Sequence, residues 1–185
     1  GNLSDMTYRA VEVLMNVDII ACEDTRHTQN LLNHYKISKR LIATHAHNEE
    51  HSAKGIINLL EEGNDVAFVS DAGTPGISDP GFRLVRDVVA QNLPMCVLPG
   101  ACAVNLALVM SGLPTSSWTF KGFPPRKPGA LRRFFGEEAA MPHTLVLYES
   151  PFRLGHTLAA AAEVLGARPA AVCFELTKLH ERVER

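Results

Sequence analysis

Residues 68 to 82 read "FVSDAGTPGISDPGF": an apolar strand end, then three glycines and two prolines framed by Asp71 and Asp79, then the apolar start of a helix. Glycine removes the Cβ that blocks a close neighbour and permits positive φ. Proline stiffens the loop, so less entropy is lost on binding. Open α/β sheets present backbone groups to ligands at just such strand ends. Asp71 and Thr74 add polar anchors there. The plain alternative is a connecting Ω-like turn. The stretch matches neither G-x-G-x-x-G nor a P-loop, so phosphate cradling is not indicated.

Working outward, strands and helices alternate. "VDIIAC" (17–22), "RLIATHA" (40–46) and "DVAFVS" (65–70) are short apolar runs of strand type. Helical spacing covers 3–17, with Ser4 and Asp5 at its start, and also 24–37 and 48–63, the last closed by Gly63. Downstream, 82–92 reads as a helix, "PMCVLP" (94–99) as a strand, and "GACAVNLALVMSG" (100–112) as a helix rich in small residues. This rhythm predicts an α/β fold with a mostly parallel sheet covered on both faces. "LPTSSWTFKGFPPRKPG" (113–129) then breaks it. We place a boundary there, with domains over 1–115 and 116–185. The second is expected to hold a mixed sheet, from strands at 120–123, 144–150 and 170–176 and helices after the basic loop and over Pro151–Leu165.

Composition narrows the class. With 185 residues, 46% hydrophobic and 21% charged, the chain suits one large or two small globular domains. No apolar run reaches the roughly 18 residues of a membrane span, so none is expected. The net charge of −2 gives no overall pull toward nucleic acid. Cys22, Cys96, Cys102 and Cys173 form no C-x-x-C pair, and three of them sit in apolar or small-residue contexts, which favours buried free thiols in a reducing, cytoplasmic compartment. The chain begins "GNLSD" without Met, and is expected to be a piece of a longer protein.

Four further stretches carry candidate chemistry. "ACEDTRHTQNLL" puts Glu23, Asp24, Arg26 and His27 at a strand-to-helix junction. Asp24 or Thr25 would cap the helix, or Arg26 would meet a phosphate or carboxylate. "THAHNEEH" gathers His45, His47 and His51, but its spacing matches no structural zinc pattern and no metal is expected. His45, at a strand terminus, remains a proton-transfer candidate. "VLPGACAVNLA" closes a strand with Pro99 and Gly100 and starts a helix with small residues. "KGFPPRKPGALRR" carries Lys121, Arg126, Lys127, Arg132 and Arg133 without an acid. It is either a solvated basic loop or a contact for a polyanion such as RNA.

In order, "EDTRHT", "H-x-HNE", "VSDAGTPGISDPG", "LPGACA…SGLP", "YESPFRL" and "ELTK" span nearly the whole chain. Together they resemble the ribosomal RNA ribose 2′-O-methyltransferases of the tetrapyrrole methylase family. The resemblance implies a two-domain α/β fold, acting as a homodimer, that binds S-adenosylmethionine between its domains. It also implies methylation of a cytidine 2′-hydroxyl in small-subunit rRNA, with the assembled subunit as the partner and no metal or membrane involved. By position, Ala72, Gly73, Thr74, Pro75 and Ile77 would contact the cofactor, with Asp71 as a further anchor. Cys102 and Ala103, just after Pro99 and Gly100, would sit beside the adenosyl group. Tyr148 and Glu149 would close the site.

The resemblance leaves the base open, with Glu23, Asp24 and His45 as candidates and Arg26 as an orienter. Departures are that the family's first strand is present only from "GNL" onward, the part after "ELTK" is absent, and Ala101 stands where Pro is common. The chain is thus expected to be truncated at both ends. Two rivals remain: a tetrapyrrole C-methyltransferase of the same fold, and a cofactor-binding fragment without activity.

Overall fold

A period of two decides which way each strand residue faces, and in the first sheet both faces are apolar. The structure, a computed structural model, describes residues 1–44 and 49–185. Helix α1 (Tyr8–Asn16), strand β1 (Ile19–Cys22), helix α2 (Thr25–His34), strand β2 (Arg40–Ala43), helix α3 (Glu49–Glu61), strand β3 (Val66–Val69) and helix α4 (Phe82–Ala90) follow in order. The strands form a parallel sheet of order β2-β1-β3. Ile20, Leu41, Ala67 and Val69 pack with Leu14 of α1 and Leu32 of α2. Their neighbours Ala21, Ile42, Val66 and Phe68 pack with Ala53, Ile56 and Ile57 of α3 and Leu84 and Val88 of α4. Helices therefore cover both faces, as the continuous apolar runs foretold.

The backbone groups into two compact units, Gly1–Ala101 and Cys102–Arg185. The second holds helix α5 (Ala103–Ser111), strand β4 (Trp118–Phe120), helix α6 (Pro128–Glu138), strand β5 (Thr144–Val146), helix α7 (Leu154–Leu165), and strands β6 (Val172–Phe174) and β7 (Arg182–Glu184). Strands β4 and β5 pair in parallel, and β6 and β7 pair antiparallel as a separate sheet. Helix α5 belongs with this unit because Val104 and Leu108 pack on Val146 of β5. Its end is satisfied by Arg185, whose guanidinium donates to the carbonyls of Ser111 (3.2 Å) and Met110 (2.6 Å).

Three expectations need correction. The first helix starts at Thr7, not Ser4: the Thr7 hydroxyl accepts the Ala10 N–H at 3.1 Å, and Leu3–Asp5 is a separate 3₁₀ turn. Residues 94–99 form no strand, and Met95 and Val97 stand 49% and 71% exposed. A strand exists only where a neighbour completes its ladder, and apolar alternation cannot report the neighbour. Burial is expected for three of the four free thiols, yet only Cys22 is fully buried, Cys102 and Cys173 are half-buried, and Cys96 is exposed.

Candidate functional site

Parallel register places Cys22 of β1 beside both Ala43 of β2 and Val69 of β3. The residues that follow these strands therefore emerge side by side. Thr44 closes one flank, its N–H (2.7 Å) and hydroxyl (3.0 Å) both donating to the Cys22 carbonyl. On the other flank two loops exchange bonds: the Asp71 N–H donates to Glu23 Oε1 at 3.2 Å, and the Asp24 N–H donates to Asp71 Oδ1 at 3.3 Å. This clasp fixes the start of the Gly/Pro loop against the head of α2. His45 and His47 lie outside the described residues.

The carboxylates here differ in character. Glu23 is half-buried; desolvation, then the charges of Asp79 and Asp71, push its carboxyl above the ordinary range against the Asp71 N–H bond. Asp79 is likewise pushed up, first by burial and then by Asp71, against a hydrogen bond from Ser70. Asp24 goes the other way, held low mainly by hydrogen bonds from Arg26. It is the cap of α2, accepting the Arg26 N–H at 2.8 Å and the guanidinium at 3.3 and 3.1 Å. Arg26, with its side chain 90% exposed, is thus turned onto its own cap residue. A base needs a raised pKa more than a lowered one near neutral pH, which favours Glu23 over Asp24. Asp79 frames the loop in sequence, yet nothing in its spacing told that it would be half-buried against Asp71.

The loop itself is internally tied. Gly73, Gly76, Ser78 and Gly81 all have positive φ. The Gly76 N–H donates to the Pro80 carbonyl, and the Ile77 N–H to that of Thr74, both at 3.1 Å. The Thr74 hydroxyl donates to the Ala101 carbonyl at 3.3 Å, so the second small-residue loop is fastened to the first. Ala72, Gly73, Ile77, Pro99 and Gly100 are exposed, with Asp71, Thr74 and Pro75 half-buried beneath them. A Cβ built on Gly73 or Gly100 would meet nothing within 4 Å. The two loops are therefore tied to each other and present exposed small residues and backbone.

In the second unit Cys102 and Tyr148 pack against one cluster, Val104, Leu108 and Val146, and the Tyr148 ring meets Phe120 edge-on at 4.9 Å. Ala103, the first residue of α5, is exposed. The Glu149 carboxylate is used internally: it accepts from the Ser150 N–H (2.7 Å) and the Thr157 hydroxyl (2.6 Å), and Arg153 pairs with it at 3.3 Å.

The basic loop divides in two. Lys121 pairs at 2.8 Å with Glu138, a carboxylate only 7% exposed, and Arg132 donates to both Glu163 oxygens at 2.9 Å. Arg126, Lys127 and Arg133 are exposed, and among the described residues no acid pairs with them. The Lys121 bond holds the Glu138 carboxyl below its ordinary value. Such a group adds stability that is complete above its unfolded pKa, about 4.3, and lost as pH falls through the lower folded value. Lys121→Met is expected to cost about 1–2 kcal/mol near neutral pH, the figure for a charged hydrogen bond reduced because the ammonium is half-exposed. Melting curves of parent and variant should converge in acid; a gap that stays constant down to about pH 3 would deny the ion pair this role.

Among the described residues, no group of three or more His, Cys, Asp or Glu is placed to hold a metal ion, and no helix is long and apolar enough to cross a membrane.

Comparison with known proteins completes the picture. The family model for Tetrapyrrole (Corrin/Porphyrin) Methylases matches residues 1–185. Proteins named ribosomal RNA small subunit methyltransferase I align over the full chain. The one from Halalkalibacterium halodurans is 45% identical over 185 residues, 100% of this chain and 64% of that protein. The one from Hydrogenobaculum sp. is 45% identical over 188 residues, 100% of this chain and 80% of that protein. The one from Escherichia coli O157:H7 is 46% identical over 184 residues, 99% and 64%. The chain thus spans just under two thirds of several of these relatives.

Among solved structures, the methyltransferase CobJ superposes with TM-score 0.71 at 17% identity, over 100% of this chain and 81% of that one. Cobalt precorrin-4 methyltransferase CbiF superposes with TM-score 0.70 at 15% identity, over 100% and 80%. These two speak for the fold alone. With the family match over every residue and relatives of this identity, the chain belongs to the tetrapyrrole methylase family and, within it, to the group of proteins named ribosomal RNA small subunit methyltransferase I.

Proposed function

We propose that this chain is the core of an enzyme that transfers a methyl group from S-adenosylmethionine to the 2′-hydroxyl of a cytidine in small-subunit ribosomal RNA. The assembled subunit is its substrate, the cytoplasm its compartment, and a homodimer its working state. The observation that carries the reading is the cradle of Asp71–Ile77 fastened to Pro99–Ala101 through Thr74, with exposed glycines whose missing side chains leave room for a bulky ligand. Alignment over the whole chain with proteins named for rRNA methylation supports it.

When bound, S-adenosylmethionine supplies a methyl group already activated on a sulfonium, so no metal is required. The chain's own work is to bind and orient. Ala72, Gly73, Thr74, Pro75 and Ile77, with Pro99 and Gly100, offer backbone groups and apolar surface to the cofactor, and Asp71 holds the loop's root. Cys102, Ala103 and Tyr148 supply apolar surface from the second unit. Glu149 acts at one remove, holding Arg153 and Thr157 in place. Positioning the ribose oxygen in line carries much of the rate, and a base adds ~10²–10⁴-fold. Glu23 is the base we favour, since its raised pKa comes from burial and neighbouring charge. Asp24 and Arg26 shape the head of α2, and His45 is the remaining candidate base. Arg126, Lys127 and Arg133 meet RNA phosphates, while Lys121 and Arg132 brace α6.

Calorimetric titration of the chain with S-adenosylmethionine and S-adenosylhomocysteine is expected to give saturable binding of one equivalent. Transfer of a labelled methyl to isolated small subunits should follow. Binding of neither ligand would overturn the cofactor assignment. Binding with methylation of a precorrin-type macrocycle, and none of subunits, would replace the RNA substrate with the tetrapyrrole one.

A further inference from the structure

Phe152 is 95% exposed and Phe123 58% exposed. Single exposed apolar residues are ordinary on any surface, but these two lie on segments that are bonded to each other. Arg153, next after Phe152, donates from Nη2 to the carbonyls of Pro124 (3.2 Å) and Pro125 (3.0 Å), the residues next after Phe123. Glu149 anchors the same guanidinium from behind at 3.3 Å. The Phe123 ring leans on Tyr148, with centroids 5.6 Å apart at 52°. The half-buried Glu149–Arg153 ion pair thus ties the turn that carries Phe152 to the backbone that follows Phe123.

What surrounds them selects the occupant. From Lys121 to Gly136 there is no acidic residue, and Arg126, Lys127 and Arg133 are exposed and unmatched by an acid among the described residues. Exposed flat rings on segments tied to a loop with uncompensated cations complement a ligand with flat faces and a phosphate backbone. Unpaired nucleotides have both, whereas a duplex hides its base faces within the stack. We propose that Phe152 and Phe123 are stacking platforms for unpaired bases of the RNA substrate, with Arg126, Lys127 and Arg133 on the adjoining phosphates. The proposal rests on the reading of rRNA as substrate and adds which part of the chain recognises single-stranded character.

The test is fluorescence anisotropy of the chain with a short labelled unpaired RNA and with the same sequence as a blunt duplex, each over a salt series. The single strand is expected to bind more tightly. Phe152→Ala should weaken it by about 5- to 150-fold, the range for losing one base–aromatic stack. Its salt slope should not change, because stacking releases no counterions, and duplex binding should be untouched. Phe152→Trp should retain affinity. Replacing Arg126 and Lys127 together by Ala should weaken both RNAs and lower the slope on the single strand by about 0.7 per cation.

Unfolding midpoints matching the parent's show that the exposed-ring variants fold. Single-strand affinity unchanged in both Phe152→Ala and Phe123→Ala would overturn the proposal. So would equal loss on the duplex, or parent chain that ignores RNA and binds anionic vesicles or self-associates through Phe152. Failure of methylation is read separately: cofactor binding and methyl transfer measured on the same proteins can be lost while stacking on Phe152 stands.

Discussion

Gly81→Ala is expected to destabilise the first unit by about 2–6 kcal/mol, combining backbone strain and overpacking, each ~1–3 kcal/mol. Gly81 sits at φ +134°, and a Cβ there would lie 2.9 Å from Cε1 of Phe68 and 3.6 Å from Cζ. Phe68 is on β3 and packs against the cluster of Ala53, Ile56, Ile57, Leu84 and Val88, so its ring cannot simply swing aside. The cavity next to it, lined by Phe68, Pro80, Gly81 and Leu84 among others, is only about 20 Å³, room for one water and not for a displaced ring. Gly81 also heads α4, its carbonyl accepting the Val85 N–H at 3.0 Å. Urea unfolding of parent and variant measures the effect. A midpoint shift worth less than about 0.5 kcal/mol would mean that the loop relaxes freely, and that its glycines do not hold it to one shape.

That the loop and sheet were legible in the sequence has a physical cause. β1 is buried on both faces and β3 is partly buried on both, and packing on both faces writes itself as apolar runs such as "VDIIAC" and "DVAFVS". Glycines at positive φ are similarly visible because few other residues tolerate that backbone. Relations between distant residues are another matter. Nothing local to "EDTRHT" shows that Glu23 accepts from Asp71, 48 positions away. That bond comes from the register of β1 against β3. Residues 94–99 mislead for the converse reason, carrying strand composition without a partner. In the basic loop, residue type could not separate Lys121 and Arg132, taken up by Glu138 and Glu163, from Arg126, Lys127 and Arg133. Nor does a phenylalanine declare itself exposed; Phe152 stands out only once Arg153 is seen bonded to Pro124 and Pro125.

Gly73→Val carries the cofactor assignment. Affinity for S-adenosylmethionine is expected to fall by about 30- to 150-fold, equivalent to ~2–3 kcal/mol of exclusion. Gly73 has φ +74° and nothing within 4 Å of a built Cβ, so the fold itself suffers only the backbone cost of a left-handed residue, ~1–2 kcal/mol. The isopropyl group would instead fill the open space that the cradle offers a ligand. Strain and exclusion separate through Gly63, which shares the features that matter to stability: φ +89°, open space around a built Cβ, and a place just past the end of α3. Gly63→Val should therefore lose similar stability and bind the cofactor as the parent does. Calorimetry on the pair decides. If both variants bind alike, the loop of Asp71–Ile77 does not hold the cofactor, and its glycines serve only the turn.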